Sequence, residues 1–313
     1  MPIPASLMRN LRLPVVTAPM LLVSDPNLVL SACRAGVIGT FPSLNQRGAA
    51  GYEQWLDTIE AGLGPDDAAY GVNLIVSKAN DRLDSDLAIT VRRRVPLVIT
   101  SFGADRDVVK AVHGYGGIVF HDIASIRHAE VAAAAGVDGL ILLTAGAGGH
   151  TGWLNPFAIL NEVRAMFGGT ILLAGALSTG RDIAAARMAG ADLAYMGTRF
   201  IATRESAVDP AYRAMLVEAR AADVQVTRGI SGTPASFLTP SMIANGLDPL
   251  AMASATLAVK DVDGRAIKPW KEIWSAGQGV GSIADIPSVT ELVGRLGCEY
   301  SLARQDFISG PFA

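Results

Sequence analysis

The chain has 313 residues and a mass of 32.6 kDa, enough for about two average domains or one large α/β barrel with an insertion. Half of the residues are apolar, 18% are charged and the mean hydropathy is +0.34, which excludes a disordered chain. The 26 basic and 29 acidic residues leave a net charge of −3 with no long basic run, so nucleic acid is not an expected partner.

In chain order, the apolar stretch Leu13 to Val23 follows Arg9 and Arg12 in the manner of a signal-peptide core, but Pro14 and Pro19 interrupt it. A first strand over Pro14 to Ala18 explains it better. Further short β-branched or apolar runs follow at Val37 to Thr40, Tyr70 to Leu74, Pro96 to Thr100, Gly117 to His121, Asp138 to Leu143, Ile171 to Gly175 and Asp192 to Met196. Between them lie Ala-rich amphipathic segments such as Ser125 to Ala135 and Arg181 to Ala189, each ended by a glycine (Gly136, Gly190) suited to a helix C-terminus. The triplet Arg92-Arg93-Arg94 falls at such a helix end.

Eight strand–helix units predict a (β/α)8 TIM barrel, with a doubly wound open sheet as the competing topology. The longest apolar stretch, Val131 to Gly149, is broken by Asp138 and falls short of the ~20 residues a membrane span needs. Cys33 and Cys298 lie far apart with no metal spacing and read as reduced thiols. A cytoplasmic protein with no membrane partner is expected.

After Phe200 the alternation stops. Residues 1–206 are assigned to the barrel, 207–286 to an appended, mainly helical domain that covers the substrate, and 287–313 to a helix returning to the barrel. Lys260 to Lys268 carries an Asp-Gly turn typical of an exposed loop.

A barrel of parallel strands builds its site from the C-terminal strand ends. The loop Gly175-Ala176-Leu177-Ser178-Thr179-Gly180 and the segment Met196-Gly197-Thr198 stand where barrels bind phosphate, since glycine lets backbone N–H groups approach an anion. The run Thr144 to Gly152 brings small residues against a flat ligand and ends near His150, a residue able to give or take a proton near neutrality. His121, followed by Asp122, also lies at a strand end. His113 and His128 sit on helical segments and read as surface groups. No metal-binding pattern or nucleophile elbow is found, so the chemistry is expected from an organic cofactor.

Five segments carry a resemblance: TAPM at Thr17 to Met20, GVNL at Gly71 to Leu74, AGAGGHTG at Ala145 to Gly152, AGALSTG at Ala174 to Gly180 and YMGTRFIATRES at Tyr195 to Ser206. Together they resemble the nitronate monooxygenases, formerly called 2-nitropropane dioxygenases. Flavin-dependent enoyl-acyl-carrier-protein reductases and certain NADH:quinone reductases are similar in the same segments. The resemblance implies non-covalent FMN at the barrel mouth. Ala18, Pro19, Met20 and Asn73 would meet its ring, Ala147, Gly148 and Gly149 would pass beside it, and Gly175, Ala176, Gly197 and Thr198 would hold its phosphate. His121, Ser178 and Met196 complete the implied cofactor set.

His150 matches the active-site histidine of that family. Trp274, Ser275 and Gln278 resemble a closing segment near substrate, and Trp153 is the expected substrate wall beside the apolar Met20, Leu21, Leu22, Phe102 and Phe157. Many members of the family carry an acidic residue where Gly146 stands and a second glycine where Ala176 stands. The implied activity is oxidation of alkyl nitronates by FMN and molecular oxygen to a carbonyl compound and nitrite. The alternatives are an NAD(P)H-dependent flavin reductase acting on quinones or enoyl thioesters, and a non-catalytic flavin-binding barrel.

Overall fold

In the computed structural model, which describes residues 3–262 and 264–311, the eight runs form the strands β1 (Val15–Thr17), β2 (Gly39–Pro42), β3 (Tyr70–Ile75), β4 (Leu97–Ser101), β5 (Ile118–Ile123), β6 (Gly139–Leu143), β8 (Thr170–Ala174) and β9 (Leu193–Met196); the two-residue β7 (Gly149–His150) lies in the loop after β6. All eight pair in parallel, in the order β1-β9-β8-β6-β5-β4-β3-β2. A further parallel bridge, Val16 to Ile38, joins the two end strands and closes the ring. The fold is the expected TIM barrel rather than an open sheet.

The strands lie buried because each carries two apolar faces. Val16, Ile38, Leu97, Ile99, Phe120, Ile141, Leu172 and Leu193 fill the barrel interior. Their neighbours Val98, Val119, Leu140, Leu142, Ile171 and Leu173 pack outward against the helices, as a period of two requires. Leu7, on the short helix Ala5–Met8, joins the interior cluster as a plug. The intervening helices start at the residues their sequences offer as caps: the Ser125 hydroxyl accepts from the His128 N–H, and Thr179 forms a reciprocal box with Asp182. Gly136 stops its helix in the left-handed conformation, at φ 88°.

The stretch after the barrel contains the helices Pro210–Glu218, Thr239–Ala244 and Pro249–Ser254, but it is not free of strands. β10 (Val224–Thr227) and β11 (Ala235–Leu238) form an antiparallel pair, and β11 continues onto β7. Four-residue strands joined without a crossover helix leave no alternating signal, which is why the sequence reads as helices and breaks alone. Asp261–Val262 and Arg265–Ala266 form a second small hairpin, β12–β13; Asp263, part of the expected Asp-Gly turn, lies outside the described residues. The last helix, Val289–Ser309, is capped by Ser288 with Glu291 and packs on the barrel helices Gly180–Met188 and Pro26–Ala35. No helix among the described residues is long and apolar enough to cross a membrane.

Candidate active site

All parallel strands present the same end to one side, and there they enclose a cavity of about 800 Å³ to which every barrel strand contributes a residue at or just beyond its end. Its size falls within the roughly 300–1,000 Å³ of small-molecule and cofactor sites. Ala18, Pro19, Met20, Asn73, His121, Ala147, Gly148, Gly149, His150, Gly175, Ala176, Ser178, Gly197, Thr198 and Ser275 all line it. Met196, Trp153, Trp274 and Gln278 do not.

Met196 belongs to the packing between barrel and helices, with its carbonyl accepting from the Ala18 N–H. Trp153 is 81% exposed. It follows Gly152, whose Cα lies so close to the Leu143 carbonyl that a Cβ would come within 2.2 Å of that oxygen; the chain there hugs the barrel wall and turns the indole outward. Trp274 stacks face to face on Tyr212, with ring centroids 5.0 Å apart, and it is Tyr212 that reaches the cavity. Gln278 stays behind Gly146, its backbone N–H donating to the Gly146 carbonyl at 2.9 Å.

His150 stands between two aromatic rings. Phe102 meets it edge-on at 5.1 Å and Trp270 lies tilted at 5.3 Å, backed in turn by Phe237 at 4.8 Å. Burial disfavours the imidazolium and lowers its pKa below the ordinary 6.5, so the ring is neutral at pH 7. Among the described residues no side chain hydrogen-bonds the ring, which leaves its tautomer to be set by what enters the cavity. Phe102, Ala176 and Trp270 line the cavity with backbones at φ 64°, 55° and 68°, and Leu22, beside its lining residue Leu21, has φ 62°. Strained backbone of this kind is held only where the surrounding structure fixes it, and it gathers at functional sites. Trp270 carried no motif in the sequence; the tight turn Pro269 to Ile273 places it.

The wall built by β3, β4 and β5 is polar. Asn73 donates to the Ser101 hydroxyl at 2.8 Å, and Ser101 donates to Asp122 Oδ2 at 2.6 Å. Burial pushes the Asp122 carboxyl up to about 6, with the Ser101 hydrogen bond opposing the shift. His121 Nδ1 bonds with the Thr100 hydroxyl at 2.7 Å, and burial, helped by nearby His128, takes its pKa down to about 4. His128 is surface-exposed as expected, yet it also borders the cavity. His113 pairs with Asp138 on the outside.

The small-residue loops make the opposite wall. The expected anion cradle is narrower than the sequence implies, because the N–H groups of Ser178 and Thr179 donate to Asp182, Gly180 donates to Glu299, and the Ser178 hydroxyl donates to the Gly279 carbonyl. The capping box that starts this helix satisfies its own donors. Gly175 to Leu177 and Gly197 to Thr198 also face the cavity, with the Ala176 N–H already donating to the Gly146 carbonyl at 3.2 Å. At Gly197 an added Cβ would come within 3.3 Å of Met20 Sδ and 3.5 Å of Ala18 Cβ, so glycine keeps the gap between these two loops.

Ser275 works as a latch. Its hydroxyl accepts from the Gly149 N–H at 2.8 Å and donates to the Ser236 carbonyl at 2.6 Å, while the Tyr212 hydroxyl donates to the Ser275 carbonyl. With the pairing of β11 to β7, this ties the His150 loop to the appended stretch. Arg199, buried within the MGTRF segment, clasps Asp285 at 2.8 Å and anchors the far end of the same strap.

The sequence model of the nitronate monooxygenase family matches residues 66–299. The chain belongs to the nitronate monooxygenase family. That membership makes it an oxidoreductase, in a family that is generally flavin-dependent. Nitronate monooxygenase from Paraburkholderia phytofirmans is 27% identical over 81% of each chain. The (3aS,4S,5R,7aS)-5-hydroxy-7a-methyl-1-oxo-octahydro-1H-indene-4-carboxyl-CoA dehydrogenase of Rhodococcus jostii is 28% identical over 74% of this chain; the match spans 64% of that protein's length, just under two thirds. Among solved structures, the nitroalkane oxidase of Streptomyces ansochromogenes superposes with a TM-score of 0.79 at 24% identity, covering 97% of this chain and all of the other. FabK from Thermotoga maritima superposes equally well at 23% identity, covering 96% of both chains. The two structures share the barrel.

Proposed function

We propose that the protein oxidises alkyl nitronates with FMN and molecular oxygen, giving a carbonyl compound and nitrite. The observation that carries the reading is His150, held neutral between Phe102 and Trp270 over a largely apolar cavity in a member of this family. The cavity suits a flat ring with one phosphate: loops of small residues form one wall, and the gap that glycine keeps at position 197 opens beside Thr198. Ala18, Pro19, Met20 and Asn73 would meet the ring, with Ala147 to Gly149 beside it. Gly175, Ala176, Gly197 and Thr198 would hold the phosphate. When bound, the flavin supplies the redox chemistry, taking electrons from the substrate and passing them to oxygen.

The chain's own residues then orient and shield. Phe102 and Trp270 cover two sides of the imidazole, and Ser275 holds its loop in place. A neutral His150 can donate a hydrogen bond to a nitronate oxygen or take the α-proton of a neutral nitroalkane; the second role is typically worth about 10²–10⁴ in rate. His150→Asn separates the two. Loss of turnover confined to the neutral nitroalkane assigns the base, loss on preformed nitronate assigns the donor, and unchanged turnover of both removes His150 from catalysis.

A second reading, NAD(P)H-dependent reduction of a quinone or enoyl thioester, is favoured by the size of the cavity and by similarity to a dehydrogenase whose name specifies a CoA thioester. Anaerobic mixing of the purified flavoprotein decides between them. Bleaching of the flavin by propane-2-nitronate and not by NADH or NADPH supports the oxidase, rapid bleaching by a reduced nicotinamide supports the reductase, and a protein without flavin refutes both.

A further inference from the structure

Of the six tyrosines, four hold their hydroxyls in hydrogen bonds: Tyr52 with Thr90 at 2.7 Å, Tyr70 to Glu60 at 2.9 Å, Tyr115 to the Val95 carbonyl at 2.8 Å and Tyr212 to the Ser275 carbonyl. Tyr300 lies on the last helix with Arg304 over its ring. Tyr195 is different. It is 7% exposed, it belongs to the barrel-interior cluster with Val16 and Ala174, and it lines the cavity. Its hydroxyl has no hydrogen-bond partner among the described residues, yet it is not one of the unpartnered atoms sealed from solvent, which are Ser43 Oγ, Arg82 Nε and Asp122 Oδ1. The hydroxyl therefore keeps accessible surface, and for a side chain enclosed by the barrel that surface lies in the cavity. Packing alone asks only for phenylalanine; a buried phenol is retained where its O–H meets a partner.

β9 sets Tyr195 beside Val16 of β1, two residues before the Gly197 to Thr198 segment. Burial opposes ionisation of the phenol, and so does the Asp122 carboxylate, which stands on β5 with β6 and β8 in between, so the hydroxyl remains a donor. Among the described residues no lysine or arginine lines the cavity, and a ring that gathers negative charge on reduction must find its donors in neutral groups. We propose that Tyr195 Oη donates a hydrogen bond to a carbonyl oxygen on the pyrimidine edge of the bound flavin, where reduction places negative charge, and so raises its reduction potential. The benzenoid end of a flavin has no acceptor to offer. The O–H stays on the tyrosine in both redox states, and its bond to the ring strengthens as the acceptor gains charge. This role of Tyr195 rests on the flavin reading, and it holds equally for nitronate oxidation and for reduction of a quinone or thioester, since the ring is reduced in each.

The test is Tyr195→Phe, which removes one oxygen and keeps the ring. The midpoint potential of the FMN-loaded protein is measured anaerobically against reference dyes, and the carbonyl stretching bands of the bound flavin are recorded by infrared difference spectroscopy. Loss of the donor is expected to weaken the reduced form about tenfold relative to the oxidised one, a fall of roughly 30 mV for a two-electron couple, and to move a flavin carbonyl band to higher wavenumber. Replacing Tyr195 by 3-fluorotyrosine, a stronger donor of nearly the same size, is the second variant and shifts both readings the opposite way. Tyr52→Phe, whose hydroxyl bonds Thr90 outside the barrel interior, leaves both unchanged. An unchanged potential in Tyr195→Phe overturns the proposal whatever happens to FMN affinity. A raised potential overturns it too, because it would put the O–H on the ring nitrogen that is protonated on reduction. A protein that binds no flavin refutes the flavin reading together with this role, whereas bound flavin of unaltered potential refutes the role of Tyr195 alone.

Discussion

His121 and Asp122 are neighbours on β5 whose buried environments act on folding in opposite directions over nearly the same pH range. For His121 the folded pKa of about 4 lies below the ordinary 6.5, so its contribution is fully present above pH 6.5 and is lost as pH falls towards 4, when the unfolded chain takes a proton that the folded one refuses. Asp122 has a folded pKa of about 6 against an ordinary 3.8, so its contribution is fully present below pH 3.8 and is lost as pH rises through 6. Each interval corresponds to about 3 kcal/mol. Between pH 4 and 6 the two nearly cancel. Urea unfolding at a series of pH values therefore shows different curves for the two variants. Relative to wild type, Asp122→Asn loses about 3 kcal/mol more on going from pH 6.5 to 4, and His121→Gln gains about 3 kcal/mol over the same change. Other titrating groups drop out of the difference. Difference curves flat across this window would refute the argument that burial governs both groups.

Further outcomes follow from the site geometry. Ser275→Ala strips the Gly149 N–H and the Ser236 carbonyl of their hydroxyl partner at a buried position, so it should cost about 2–4 kcal/mol and reduce turnover, with Ser275→Thr restoring both; thermal unfolding and steady-state assays read this. Gly175→Ala places a Cβ 2.3 Å from Thr144 Oγ1 at φ 143° and should destabilise by more than about 2 kcal/mol. Ala176→Gly relaxes a left-handed alanine at φ 55° and should change stability by less than about 1 kcal/mol, which denaturant titration of the pair distinguishes. Trp270→Ala removes one of the rings that desolvate His150, so the His150 pKa should rise towards 6.5, as read by the NMR titration of its ring protons.

The barrel was legible because its signals are local. A strand buried on both faces must be apolar along its length, and a helix between two parallel strands must start at a cap and stop at a glycine or its equivalent; Val98, Ser125 and Gly136 each declare this within a few residues of chain. The rule that parallel barrels place their sites at the C-terminal strand ends then located the cavity, and with it His150 and the glycine loops. The short strands β10 and β11 leave no such signal, because a four-residue hairpin arm has too little length to show a period.

Tertiary structure decided how those residues work. Ser275 reads as a substrate contact in the sequence; it does line the cavity, and its hydroxyl, which accepts from Gly149 126 residues away, serves as a latch. The helix start at Gly180 reads as an open anion site until Asp182 and Glu299 fill its donors. Trp153 adjoins His150 along the chain and faces solvent, whereas Trp270, 120 positions beyond His150 and without a motif, packs against its ring. The one hydrogen bond that the buried Asp122 carboxyl receives comes from Ser101, 21 residues away, which β4 delivers to Oδ2. Sequence by itself determines period, capping and strand ends, since these depend on neighbours along the chain; hydrogen-bond partners, burial and the pKa values they set depend on residues that only the closed barrel and its strap bring together.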